Sequence, residues 1–301
     1  AVRGFAHGHQ RCSWLCAGHH VWLGANGGTE SIYRVPAHEC SAQECEFVTL
    51  KERLTYSAFL VAWWAGAHVP ERVLRSIFQT IASVAWYMRI PSVKRLEFNL
   101  GRVVGLAPDS ASVRGLSRHA MSSYFHYWCD MFILYTLSLD DIVARTQLRN
   151  VENLQPVLDR GKGVMFAATH SGSWDLAAAA MMVQYGPLMT VAERLKPEAL
   201  YQRFTQSRAR FGFDILPHVG GERPPTEVLA ERLQQGGLVA LAADRDLKGR
   251  GVKVDLFGKQ VRLPLGAVRL ARTTGAALVP VGVFYENGIT IMQFYPEIDY
   301  S

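Results

Sequence analysis

Gly163-Val-Met-Phe-Ala-Ala-Thr-His170-Ser-Gly-Ser-Trp-Asp175 is the stretch from which the rest of the chain is read. Its first half, Gly163 to Ala168, is apolar without alternation, the pattern of a strand buried on both faces. Its second half breaks at Ser-Gly-Ser and enters a helical pattern over residues 174–184. The same grammar recurs downstream. Apolar strands are expected at 188–192, 213–216, 237–243 and 277–284, with helical segments at 197–211, 225–235 and 264–274. Such alternation implies an α/β fold, a mostly parallel central sheet flanked by helices. Glu286-Asn287-Gly288 carries a tight-hairpin signal, so the last strands are expected to be antiparallel. The sequence stops at Tyr300-Ser301 just after a strand, which reads as a truncated C-terminus.

Upstream of this core the pattern is helical. Residues 54–69 contain no Asp, Glu, Lys or Arg and carry Phe59, Trp63 and Trp64. They are fewer than the roughly twenty apolar residues a spanning helix requires. After Pro70, residues 71–89 place Leu74, Ile77, Phe78, Ile81, Val84, Ala85 and Met88 at helical spacing. Arg89, Lys94, Arg95 and Arg102 follow, and a third helical pattern covers 113–137 with Cys129 as a buried small residue. Two readings stay open. One is a set of membrane-associating helices lying in an anionic headgroup layer, the other an apolar helical hairpin covering the core. Residues 48–301 are expected to form a single domain, helical over 48–150 and α/β over 151–301.

The first 47 residues differ from the rest. They hold Cys12, Cys16, Cys40 and Cys45, five histidines and no lysine. Cys12 and Cys16 with His19 or His20 are candidate zinc ligands, but the spacing is none of the tight paired patterns. The preferred reading is an unstructured, non-native upstream leader, with the true start near Val48. In the whole chain of 301 residues, 32 basic against 26 acidic side chains give a net charge of +6. That excess is mild. It argues against nucleic acid as a partner and suits an anionic membrane surface or a phosphate-bearing ligand. The five cysteines do not make a disulfide framework at this length.

In parallel sheets, ligands bind outside the carboxyl ends of the strands. Those ends here carry Thr169-His170, Glu193-Arg194 and Asp244-Arg245-Asp246. His170 therefore sits where a general base is useful. Asp175, in the first turn of the next helix, is expected to fold back and hold the far ring nitrogen. Arg208 shares a helix face with Leu200, Phe204 and Phe211. A cation on an apolar face needs an anion, which leaves two options, an ion pair with Glu193 or an Asp, or a phosphate or acyl-carrier ligand. Lys248, Arg250 and Lys253 add positive charge after the strand at 237–243. There is no Gly-x-Ser-x-Gly elbow, no dinucleotide or P-loop fingerprint, and no paired His/carboxylate metal motif. A base without a protein nucleophile suits direct transfer onto a substrate hydroxyl.

His170-Ser-Gly-Ser-Trp-Asp175 resembles the His-x4-Asp signature of glycerolipid-type acyltransferases. The surrounding Gly161–Asp175 context is similar to the bacterial lipid A acyltransferase branch. Ala192-Glu-Arg-Leu-Lys-Pro-Glu198, Ala243-Asp-Arg-Asp-Leu247 and Val254-Asp-Leu-Phe-Gly258 resemble the actinobacterial phosphatidylinositol mannoside acyltransferases. The resemblance runs from about Val48 onward. It implies a peripheral enzyme at the cytoplasmic face of the cell membrane, moving a fatty acyl group, typically palmitoyl, from acyl-CoA to a mannose hydroxyl. No cofactor or metal is implied beyond acyl-CoA as co-substrate. Carried over, His170 is the general base, Asp175 its orienting partner and Asp244 a further catalytic carboxylate. Glu193, Arg208, Arg245 and Arg250 are substrate-binding candidates. Asp244 stands where the family often has glutamate, and one methylene fewer retracts the carboxylate by about 1.5 Å. A lipid A-type or other glycolipid acceptor, and a catalytically inactive membrane-binding relative, are the alternatives.

Overall fold

The computed structural model describes residues 49–246 and 249–300. The leader, the zinc candidates and Lys248 lie outside them. Thr49 and Glu52 form a reciprocal capping box that starts helix α1, Leu50–His68. Pro70 ends that run, and α2, Glu71–Tyr87, follows at once. α3, Pro91–Val104, begins on a proline and ends on Gly105, whose φ of +70° is the left-handed stop that glycine tolerates best. Ser110 caps α4, Ala111–Ile133.

Next come the short α5, Leu139–Ala144, the edge strand β1, Thr146–Arg149, and the one-turn α6, Gln155–Asp159. The α/β core contains β2, Val164–Ala168; α7, Trp174–Tyr185; β3, Leu188–Ala192; and α8, Glu198–Ala209. It continues with β4, Phe213–Pro217; α9, Pro225–Gln234; and β5, Leu238–Ala242. A hairpin of β6, Val252–Leu256, and β7, Lys259–Leu263, precedes α10, Gly266–Thr274. β8, Ala277–Glu286, and β9, Ile289–Phe294, complete the order.

Seven strands form one sheet in the order β1-β9-β8-β2-β5-β3-β4. Neighbours from β8 to β4 are parallel, β9 is antiparallel to β8, and β1 is parallel to β9. The expected mostly parallel α/β sheet is therefore present, and the Asn287-Gly288 turn makes the antiparallel pair. Helices α3 and α5 and strands β1, β6 and β7 went unread. β1 is too short for a periodicity signal. The β6–β7 hairpin turns on Phe257 and Gly258, both at positive φ, and phenylalanine is not a residue that announces such a turn.

Strand alternation gives the sheet two faces. Val164, Phe166, Leu188, Phe213, Leu238 and Val279 pack with α7. Met165, Met189, Val239 and Leu278 pack with Leu229 and Leu233 of α9 and with Ala267, Leu270 and Ala271 of α10. The helical layer lies on the α7 side. There Trp63 of α1, Phe132 of α4 and Phe204 of α8 share one cluster, with Phe59 5.5 Å from Phe204.

A polar network ties this layer to the sheet. The buried Asp130 of α4 accepts from Arg75 of α2 and from Tyr285 of β8, each at 2.8 Å. Glu71 takes Arg145 bidentately at 2.8 and 2.9 Å, and the Arg145 contact, outweighing burial, holds its carboxyl down at about 2. Cys129 is fully buried, as expected. The apolar residues of α2 divide between its faces. Leu74 and Ala82 are buried, while Ile77, Ile81, Val84 and the following Met88 are exposed.

Candidate active site

The site starts from a taper in the sheet. On the α7 face the lower strand positions carry bulky side chains, Val164, Phe166, Leu188, Phe213 and Leu238. Toward the carboxyl ends the same face carries Ala168, Thr190, Ala192, Ala240 and Ala242. Small residues over large ones leave room at the top edge. The result is a mostly apolar slot of about 100 Å³, closed by Ile215, Trp174, Arg208 and His170.

His170 stands at its mouth, two residues past β2. Gly172, at φ +57°, lets the loop close onto β8, since a Cβ there would lie 2.8 Å from the Val283 backbone. The β2–β5 ladder extends one step beyond the strands through the amide of Ala243 donating to the Ala168 carbonyl at 2.8 Å. That step brings Asp244 beside His170. His170 Nδ1 lies 2.8 Å from Asp244 Oδ1, and the His170 amide donates to Oδ2 at 3.2 Å. Burial works against the Asp244 charge, but the bonds from the His170 ring and amide outweigh it and hold the carboxyl below its usual range. An ionised carboxylate only accepts, so Nδ1 carries the proton and the Nε2 lone pair is left for a substrate. The pair is open to solvent, with 46% of the His170 and 32% of the Asp244 side chain exposed.

This differs from the expectation that Asp175 holds the imidazole. Asp175 is 1% exposed and is bound by Arg208, Nε to Oδ1 at 2.7 Å and Nη2 to Oδ2 at 3.0 Å. Tyr127 of α4 donates to Oδ2 at 3.4 Å. The first turn of α7 points this carboxylate down between α4 and α8, away from the loop that carries His170. Of the two options open for Arg208, the ion pair is the one the structure contains. Asp175 outweighs burial and strengthens the guanidinium's hold on its proton. That guanidinium also stacks between Trp174, at 4.9 Å, and Phe204, at 5.2 Å. The shorter Asp244 side chain reaches the ring without difficulty, because the ladder carries its backbone to His170.

A second cavity opens at His170 on the other side of the sheet edge. It holds about 230 Å³ and is lined by Glu193, Leu241, Ala243, Arg245 and Ala267 among others. Glu193 is exposed on its rim. Beyond it, a groove of about 450 Å³ is bordered by Arg245 and Arg250. His218 lines both spaces and was missed, although the strand-end rule reaches it as the first residue after β4. Tyr127 was also missed. It comes from another layer, and no local pattern points to it. Among the described residues no His/Cys/Asp/Glu group is arranged to hold a metal ion.

The arrangement is thus a solvent-accessible His–Asp pair between an apolar slot and a second cavity that leads on to a basic groove. The model of the family described as bacterial lipid A biosynthesis acyltransferase matches residues 42–301. A phosphatidylinositol mannoside acyltransferase from Mycolicibacterium smegmatis is 39% identical over 254 residues, 84% of this chain and 83% of the relative. One from Mycobacterium tuberculosis strain H37Rv is 40% identical over 244 residues, 80% of this chain and 76% of the relative. The chain belongs to the bacterial lipid A biosynthesis acyltransferase family and is an acyltransferase.

Proposed function

We propose that this acyltransferase moves a fatty acyl group, palmitoyl as the reference case, from acyl-CoA to a mannose hydroxyl of a phosphatidylinositol mannoside. The observation that carries the reading is the His170–Asp244 pair at 2.8 Å, at the common mouth of the slot and the second cavity. His170 Nε2 takes the hydroxyl proton as that oxygen attacks the thioester carbonyl. The carbon–sulfur bond breaks, and the leaving thiolate receives the proton back from the imidazolium. Asp244 fixes the tautomer and stabilises the imidazolium. The thioester arrives activated, so the step needs no cofactor and no covalent enzyme intermediate.

The acyl chain enters the apolar slot, which the Asp175–Arg208 pair walls off from beneath. Arg208 thereby shapes the slot instead of binding an anion. Glu193 borders the acceptor's approach to His170. We place the enzyme peripherally at the cytoplasmic face of the membrane. None of the described helices is long and apolar enough to cross a bilayer. Leu54, Val61 and Trp64 of α1, Ile77, Ile81 and Val84 of α2, and Met88 just after α2 form an exposed apolar surface suited to headgroup-level docking. Lys94 and Arg95 are exposed on α3, whereas Arg89 is engaged by the buried Glu97 at 2.8 Å.

CoA release from palmitoyl-CoA, with and without phosphatidylinositol mannoside, tests the reaction. Release that needs the mannoside and disappears in His170→Ala is expected. Release indifferent to the mannoside overturns the acceptor assignment, and wild-type release by His170→Ala overturns the base.

A further inference from the structure

The loop that carries His170 has two ends to hold. Asp244 holds the first, meeting both the ring and the amide of His170. The second end belongs to β8, which is longer than β2. The two strands pair as far as Ala168 against Val281, and β8 then continues past that point to Glu286. Strand alternation puts Tyr285 on the α7 face with Val281 and Val283. Gly172 of the loop closes onto the Val283 backbone. Ser173, the next residue, is buried and begins α7 without capping it. Its hydroxyl is enclosed beside Tyr285 and makes no hydrogen bond of good geometry. β8 thus backs the loop twice, through Val283 and through Tyr285.

Tyr285 is itself held by more bonds than packing requires. Its hydroxyl donates to Asp130 Oδ2 at 2.8 Å, and Arg75 Nη2 donates to Oδ1 at the same distance. Its ring lies 4.4 Å from that of His126, whose Nε2 is 2.7 Å from Arg75 Nη1. Arg75 already has Glu71 at 2.7 Å, so the buried Asp130 carboxylate is not needed to neutralise it. Burying a second carboxylate there is unfavourable unless its oxygens are bonded. What Asp130 adds is direction. It takes the single proton of the phenol, locks the ring in one orientation and leaves an oxygen lone pair toward Ser173. Resting on the assignment of His170 as the base, we propose that Tyr285 is a positioning residue: held by Asp130, it fixes Ser173 at the head of α7 and thereby the loop that keeps His170 against Asp244.

The test compares Tyr285→Phe and Ser173→Ala, singly and together, in the whole chain. Tyr285→Phe keeps the ring, and Ser173→Ala leaves Asp130 all its donors, so the second variant carries the test if the first unfolds. Each single change is expected to lower kcat for CoA release about fivefold, the worth of one hydrogen bond, with KM unchanged. The double variant should also fall about fivefold, because both changes break one contact. Nitrogen-15 histidine spectra at about pH 8, where imidazole is neutral, report the tautomer, with the His170 signals assigned by their loss in His170→Ala. Wild type should show Nδ1–H, and both variants a shift toward Nε2–H. Multiplying losses in the double variant overturn the proposal, as does a lower kcat with the tautomer unchanged. So does a Tyr285→Phe protein that is less stable but keeps the wild-type tautomer and kcat, since Tyr285 would then only join the helical layer to the sheet. A tautomer shift in both variants, together with wild-type turnover by His170→Ala, supports the positioning and sinks the base.

Discussion

His170 and Asp244 meet at the top edge of the sheet with 46% and 32% of their side chains exposed, while Arg208 and Asp175 meet beneath the slot with 12% and 1% exposed. Both pairs join a base to an aspartate at 2.7–2.8 Å. Their surroundings assign them opposite work. The upper pair can exchange a proton with a substrate, because one ring nitrogen is free and the site is wet. The lower pair is closed by Trp174, Phe204 and Tyr127, and its arginine does not titrate in the working range. Distance alone does not distinguish a catalytic pair from a supporting one; exposure and the chemistry of the cation do.

The largest expected effect tests the upper pair. His170→Ala should lower kcat by about 10³-fold, the usual contribution of a positioned base, with unchanged far-UV circular dichroism and vesicle binding. Retention of more than a tenth of the activity would break the comparison by removing the base from the upper site.

The lower pair answers in stability first. Asp175→Ala leaves the Arg208 guanidinium buried and unpaired, and should cost about 3–5 kcal/mol in chemical denaturation. Replacing both partners, Asp175→Leu with Arg208→Met, should cost much less, since no orphan charge remains. If Asp175→Ala is as stable as wild type yet catalytically dead, the carboxylate acts on the reaction and the contrast fails.

Asp244→Asn sharpens the upper half. It keeps shape but offers the ring no charge, and should reduce kcat by about 10²-fold with little change in thermal stability. The pH dependence has a definite sign. A carboxyl held below its usual range in the folded state contributes stability above the unfolded value and loses it as pH falls through the folded one. Wild type should therefore lose a small increment of stability below about pH 4 that Asp244→Asn never had. Identical acid profiles would show that the His170 contact does not hold the charge.

How far these roles could be read from sequence follows from range. The strands β2, β3, β4, β5 and β8 were legible because buried parallel strands are continuous apolar runs, and their ends pointed to His170, Glu193 and Asp244. Which aspartate serves His170 was not legible. Asp175 is five residues away and Asp244 seventy-four, so proximity in the chain favoured the wrong partner; only the β2–β5 register, Ala168 against Ala242, brings Asp244 into reach. Arg208 was legible as a cation on an apolar face, and its partner was not, because that depends on where the first turn of α7 points. α1, α2 and α4 were legible as helices, whereas α3 was not. Their division into buried Leu74 and exposed Ile77 and Ile81 depends on α4, which no local pattern supplies.

The smallest effect concerns the link between the two pairs and the helical layer. Tyr127→Phe removes a hydroxyl that donates to Asp175 at 3.4 Å, a long contact, while Asp175 Oδ2 keeps its bond from Arg208 at 3.0 Å. Burial foremost, and then the neighbouring Asp175 charge, push the phenol's ionisation well above its usual range, so it acts only as a neutral donor. The ring remains stacked on Trp174, with centroids 6.4 Å apart, so packing is preserved. The loss should stay under about 1 kcal/mol in denaturant titration, with kcat within about twofold of wild type. A tenfold fall in kcat at unchanged stability would mean that the lower pair reaches the reacting atoms through the slot wall, which Trp174 and Arg208 both line.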